Sequence, residues 1–272
     1  MEPLSLLKIL VLICYLVTFV DYFIHFMRKD EVTGRLARPL FWVTLLAHLL
    51  FLFTLSLSHG HIPMVTRGEA MTTTVFCFAA IYLYIEIRSR QRSMGVFILA
   101  MALSLQLVAT FHVDEVKQVP AVLASGEFLF HAVLSLLGYS GLFLGFIFSV
   151  LFLLMHYEIK RRRFGYIYDR LPPLETLDTM SFHSIVLGFC LLSVGIVAGS
   201  LWAKQTWGFY FSTDPKLVST LVVWAVYGLY LLLRFVPGWT RKRSASLSVI
   251  GFTALLFTFV LIHRIAATTH NF

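Results

Sequence analysis

Charge is scarce in this sequence. Only 13% of its 272 residues are Asp, Glu, Lys or Arg, about half of the roughly 25% found in soluble domains. A surface that poor in charge excludes an ordinary soluble globule. Cysteine is sparse as well. Cys14, Cys77 and Cys190 show no CxxC spacing and each falls inside a long apolar run, which argues against a disulfide framework, a thiolate zinc site and a redox dithiol. Alternating apolar and polar strands are missing, which argues against a β-barrel. The first apolar run lacks a basic leader and a small-residue cleavage site and carries Glu2 instead, so it is expected to stay in the mature protein. No inverted repeat or pair of broken helices suggests a transporter.

What the chain has in quantity is hydrocarbon. Hydrophobic residues make up 58% of it and the mean hydropathy is +0.82. Its apolar runs are about 18 to 25 residues long, enough for a helix to cross a hydrocarbon core of roughly 30 Å. The fold expected is all-α, a polytopic membrane bundle of eight helices. Their spans are 4–27, 39–58, 70–87, 94–112, 128–156, 182–203, 217–236 and 247–263. One transmembrane domain, 1–272, accounts for the whole chain.

The net charge of +8 does not call for nucleic acid. The basic residues gather in every second connection: Arg28, Lys29, Arg35 and Arg38; Arg88, Arg90 and Arg92; Lys160 to Arg163 with Arg170; and Arg234, Arg241, Lys242 and Arg243. The positive-inside rule makes those loops cytoplasmic, with both termini outside the plasma membrane. Attraction to anionic lipid adds a little. The 157–181 loop is the longest inner connection and the largest surface for a soluble partner, and its LPPLETLDTMSF half reads as a proline turn and an interfacial amphipathic segment.

Histidines supply the candidate ligands. His48 lies inside the second span, where an ionisable group is a functional candidate. His59 and His61 form an H-x-H pair, yet no third ligand stands at a recognised metal spacing. Arg67 and Glu69 are expected to order that loop against other outer segments. His131 stands near the outer end of the fifth span, followed by Gly138, Ser140, Gly141 and Gly145, while the sixth span carries Gly188, Gly195, Ala198, Gly199 and Ser200. Small residues at such spacings let helices approach closely. The 202–217 segment then packs Trp207, Tyr210 and Phe211 beside Asp214, Pro215 and Lys216, and His263 and His270 follow near the end of the chain. Topology brings His131, His263 or His270, and this aromatic platform to one side of the membrane. Two imidazoles, a flat apolar surface and cations such as Lys204 or Lys216 are what a haem needs for its iron, its ring and its propionates. The bland reading is an interfacial aromatic belt with solvated histidines.

The stretch from LPPLETLDTMSF through WAKQTWGFYFSTDPK to LYLLLR resembles the core of the CcsA-type cytochrome c assembly family. Its pattern runs WA-x-x-x-WG-x-YW-x-WDPKE, with a later tryptophan and tyrosine. Trp202, Ala203, Trp207, Gly208, Asp214, Pro215, Lys216, Trp224 and Tyr227 fit it. The resemblance implies haem held outside between two histidines, matched by His131 in an H-x(7)-Y-S setting and by His270 in the tail. On that basis the binding residues are His131, His270, Trp207, Gly208, Tyr210, Phe211, Asp214 and Lys216, with the two histidines on the metal. Phe211, Thr213 and Leu217 stand where the family has two tryptophans and a glutamate, and Leu232 where it has a further histidine. Those losses, with the short eight-helix layout, make the chain similar to the HemX-like branch. The resemblance then implies a non-enzymatic regulator of tetrapyrrole synthesis that lowers glutamyl-tRNA reductase, and a haem-handling subunit of a cytochrome c synthase is the alternative.

Overall fold

The computed structural model describes residues 3–28, 31–113, 125–162, 165, 168–211 and 215–265, without the side chains of 3, 31, 216 and 258–265. All regular structure among them is helical: α1 (Pro3–Arg28), α2 (Glu31–His59), α3 (Arg67–Ser89), α4 (Gly95–His112), α5 (Gly126–Lys160), α6 (Leu174–Trp207), α7 (Pro215–Leu233) and α8 (Arg241–Ile265). The all-α membrane bundle is as expected. Large apolar side chains such as Leu6, Ile13, Leu46, Phe53, Val197 and Phe257 stay on the outside of their helices, the arrangement that lipid as solvent requires.

Two compact units divide the chain, residues 1–129 with 165–172, and residues 130–164 with 173–272. In the first, α1 packs on α2 and α4, and α3 on α4 and α2, closing a four-helix ring. Gly68 lies against the backbone of His112 and Val113, and any Cβ there would overlap it. A directional polar chain runs through the ring's interior. Thr72 donates to Gln106 Oε1 at 3.0 Å, so its oxygen accepts from His48 Nε2 at 2.9 Å, and His48 Nδ1 accepts from the Tyr15 hydroxyl at 3.0 Å. Both nitrogens of fully buried His48 are thereby used, which removes it as a candidate ligand.

In the second unit α5 and α6 meet through their small residues. A Cβ on Gly141 would stand 2.7 Å from the Gly188 Cα, and one on Gly138 2.7 Å from Leu192 N. Ser149 and Ser181 bridge the same pair at 2.8 Å. Phe143, Phe146 and Phe252 stack with centroids 5.1 Å from Phe252, joining α8 to α5 over a core of Leu142, Ile185, Leu192, Val223, Tyr227 and Tyr230.

Residues 174–181 depart from expectation. They form the first turns of α6 rather than a separate interfacial segment. The reason is Asp178, buried and held bidentately by Arg234 after α7, with Arg241 Nε of α8 at 3.3 Å and Arg241 also 2.8 Å from Glu175. A charge so enclosed is tolerated only when paired, so these contacts hold the start of α6 in the bundle. Arg234→Met should cost about 3 kcal/mol, the low end for breaking a buried pair because Arg241 remains. Adding Asp178→Leu should restore much of that loss, as read by thermal unfolding in detergent.

Candidate functional site

His131 sits in the second turn of α5, half-buried against α6. Its Nδ1 lies 2.7 Å from the Gly195 carbonyl, with Ser135 Oγ at 3.4 Å. Nδ1 therefore carries the proton, and the tautomer so selected has its lone pair on Nε2. Gly199 makes the close approach possible. A Cβ there would fall 2.5 Å from the imidazole Cε1 and Nδ1.

About one to two turns further along α6 the aromatic segment begins. Trp202 is buried and meets Trp207 edge to face, with centroids 4.9 Å apart. α6 stops at Gly208, whose φ of 84° is the left-handed conformation that closes many helices. Its N–H returns to the Lys204 carbonyl at 2.9 Å. The reversal lays Phe209 nearly parallel to Trp207, 22° between rings at 6.2 Å. Trp207, Phe209, Tyr210 and Phe211 all remain 43–60% exposed. Lys204 Nζ donates to the Tyr210 hydroxyl at 2.7 Å and stands 4.2 Å over its ring. On the α7 side, Trp224 stacks on Phe189 at 5.4 Å and donates to Ser193 Oγ at 2.8 Å.

Of the eight expected binding residues, His131, Trp207, Gly208, Tyr210 and Phe211 are thus placed on one unit, along α5 and the end of α6. Asp214 and His270 lie outside the described residues, as do the side chains of Lys216 and His263. The arrangement offers an oriented imidazole, a flat aromatic face and a cation.

Residues 4–270 match the family model described as Cytochrome C assembly protein. This chain belongs to that family. It is 32% identical over 169 residues to the cytochrome c biogenesis protein CcsA of Guillardia theta, covering 57% of this chain and 56% of that protein. To CcsA of Chlamydomonas reinhardtii it is 32% identical over 169 residues, covering 60% and 46%, and to that of Gloeobacter violaceus 40% over 98 residues, covering 36% and 29%. The chain spans about half or less of the length of these relatives. Its fold is similar to that of the cytochrome c heme lyase CcmF, with a TM-score of 0.67, 18% identity, and coverage of 95% of this chain and 47% of that one.

These findings overturn the expected non-enzymatic regulator of tetrapyrrole synthesis. The relatives carry cytochrome c biogenesis names and the structural neighbour is a heme lyase, which favours the alternative. Glutamyl-tRNA reductase as partner falls with the regulator. The matches speak for the family and not for its HemX-like branch. Phenylalanine at 211 keeps an exposed aromatic face, and Leu232 is 70% exposed on α7, so neither change takes away the oriented His131.

Sequence reading also stopped short at His59 and His61. The missing third group is Glu69, 2.7 Å from His59 Nδ1 and 3.6 Å from His61 Nε2. The T-x-x-E pattern of Thr66 to Glu69, a helix-start signature, was the signal that would have brought Glu69 back toward the loop.

A local prediction follows from the reversal at Gly208. Gly208→Ala puts a Cβ at a positive φ and should destabilise the α6 terminus by about 1 kcal/mol. Faster hydrogen exchange at the 204–209 amides, with the rest of α6 unchanged, is the expected readout.

Proposed function

We propose that this chain is the haem-handling part of a cytochrome c synthase, holding haem as substrate for attachment to apocytochromes c. The observation that carries the reading is His131, locked to the Gly195 carbonyl through Nδ1 and seated on Gly199 along the helix that ends in the exposed Trp207 and Phe209 rings. An axial imidazole needs its second nitrogen anchored, and the Nδ1 contact to the Gly195 carbonyl supplies that anchor. The residues present therefore fit haem. His131 would hold the iron, with His270 as the second ligand. Trp207, Tyr210 and Phe211 would pack the macrocycle, Gly208 would let the backbone approach it, and Lys204 and Lys216 would pair with its propionates, with Asp214 in the turn between.

When bound, haem supplies the iron and the vinyl groups. The chain's residues orient it and keep one aromatic face against the ring. Acceptor thiols must come from the apocytochrome, because Cys14, Cys77 and Cys190 lie within α1, α3 and α6. The chain works as one transmembrane domain of residues 1–272 in the plasma membrane, with both termini and the 202–217 segment outside. The gathering of basic residues in every second connection supports that orientation.

Protein purified with haem should show a Soret band. His131→Ala should abolish most of it, and Gly199→Val, which intrudes on the imidazole without removing it, should reduce it as well. An unchanged band in the His131→Ala, His270→Ala double variant would refute the ligand assignment. Deleting the gene should remove holo-cytochrome c from membranes while apocytochrome persists, and normal haem staining would refute the function.

A further inference from the structure

The connection between α2 and α3 gathers two imidazoles and one carboxylate that the haem reading does not use. α2 ends at His59, and Gly60 turns the chain with a φ of 69° while its N–H returns to the Ser56 carbonyl at 3.0 Å. This brings His61 back beside His59, with ring centroids 5.6 Å apart. From the other side, Thr66 caps α3: its Oγ1 accepts from Glu69 N at 3.2 Å, and Glu69 Oε2 accepts from the N–H groups of Thr66 and Val65 at 2.9 and 3.0 Å. Glu69 Oε1 is left facing the histidines, and the three donor atoms lie within 4.8 Å of one another. The side chains of His59, His61 and Glu69 are only 6%, 5% and 0% exposed.

His61 shows what the cluster lacks. Its Nδ1 lies 2.9 Å from the Ile62 carbonyl and must donate to it, so in the neutral ring the Nε2 carries a lone pair. Among the described residues that Nε2 has no hydrogen-bond partner. Glu69 Oε1 lies 3.6 Å from it, itself an acceptor. Two buried lone pairs facing each other need a cation between them. We infer that His59 Nδ1, His61 Nε2 and Glu69 Oε1 form a site for a divalent transition metal, zinc being the fitting case, that ties the end of α2 to the start of α3. Two histidines and a glutamate are a known zinc donor set with a fourth position for water. The supports such a site needs are in place, since the Ile62 carbonyl orients one imidazole and two backbone amides fix the carboxylate. Coordination through His59 Nδ1 requires its proton, now shared with Glu69 Oε1 at 2.7 Å, to move to the other ring nitrogen.

The test uses the full chain in detergent, stripped with EDTA and titrated with Zn²⁺, with Co²⁺ as a spectroscopic stand-in. One equivalent of Zn²⁺ should bind and raise the unfolding temperature, and Co²⁺ should give the visible absorption of a low-coordinate nitrogen and oxygen site. His61→Ala should weaken Zn²⁺ binding more than the roughly 10- to 100-fold that loss of a supporting residue costs. Glu69→Gln should do the same while keeping the helix cap, because glutamine also completes a capping box. His131→Ala should leave Zn²⁺ binding intact, which separates this site from the haem reading. No bound equivalent, or binding unaffected by His61→Ala, would overturn the proposal and leave the cluster as a hydrogen-bonded loop.

Discussion

Buried carboxylates placed at helix ends organise both halves of this protein. Glu69 at the start of α3 collects two backbone amides and faces two imidazoles, and Asp178 near the start of α6 collects two guanidinium groups, one just after α7 and one at the start of α8. In a bundle where lipid satisfies no polar group, such a charge must find all its partners within the protein. Each carboxylate therefore dictates where a connection returns. Asp178 draws a segment that reads as interfacial into α6, and Glu69 folds the 60–66 turn onto its own helix.

The candidate haem side depends on the opposite device, the absence of side chains. Gly141 and Gly188 let α5 and α6 touch backbone to backbone, and Gly195 and Gly199 continue that face up to His131. The carbonyl that orients the imidazole is reachable only because no Cβ stands between the helices. A ligand on a rigid helix, anchored by a backbone acceptor, is held more tightly than one on a loop. The aromatic platform that follows is the reverse, a helix terminus with its rings turned outward.

Much of the candidate site was legible. His131, Trp207 and the small-residue faces stand out from their positions along the chain and Gly208 from the resemblance, because glycine at helical intervals and tryptophan at a helix end have few other uses in a membrane protein. What could not be read was the sense of the departures. Phe211 remains an exposed aromatic ring and Leu232 sits exposed on α7, surroundings that a sequence pattern does not carry. An aromatic replaced by another aromatic changes a pattern more than it changes a surface.

By itself the sequence determined the membrane class, the eight helices and the family, since hydropathy and a run of 202–217 motif residues are local properties. Only the tertiary structure decided which polar groups are partners. His48 emerged as a spent link between Tyr15 and Thr72. His59 and His61 gained Glu69, ten and eight positions along the chain. Asp178 gained an arginine fifty-six positions away. Pairings of that kind follow from where helices cross and where turns reverse, and no periodicity along the chain encodes those distances.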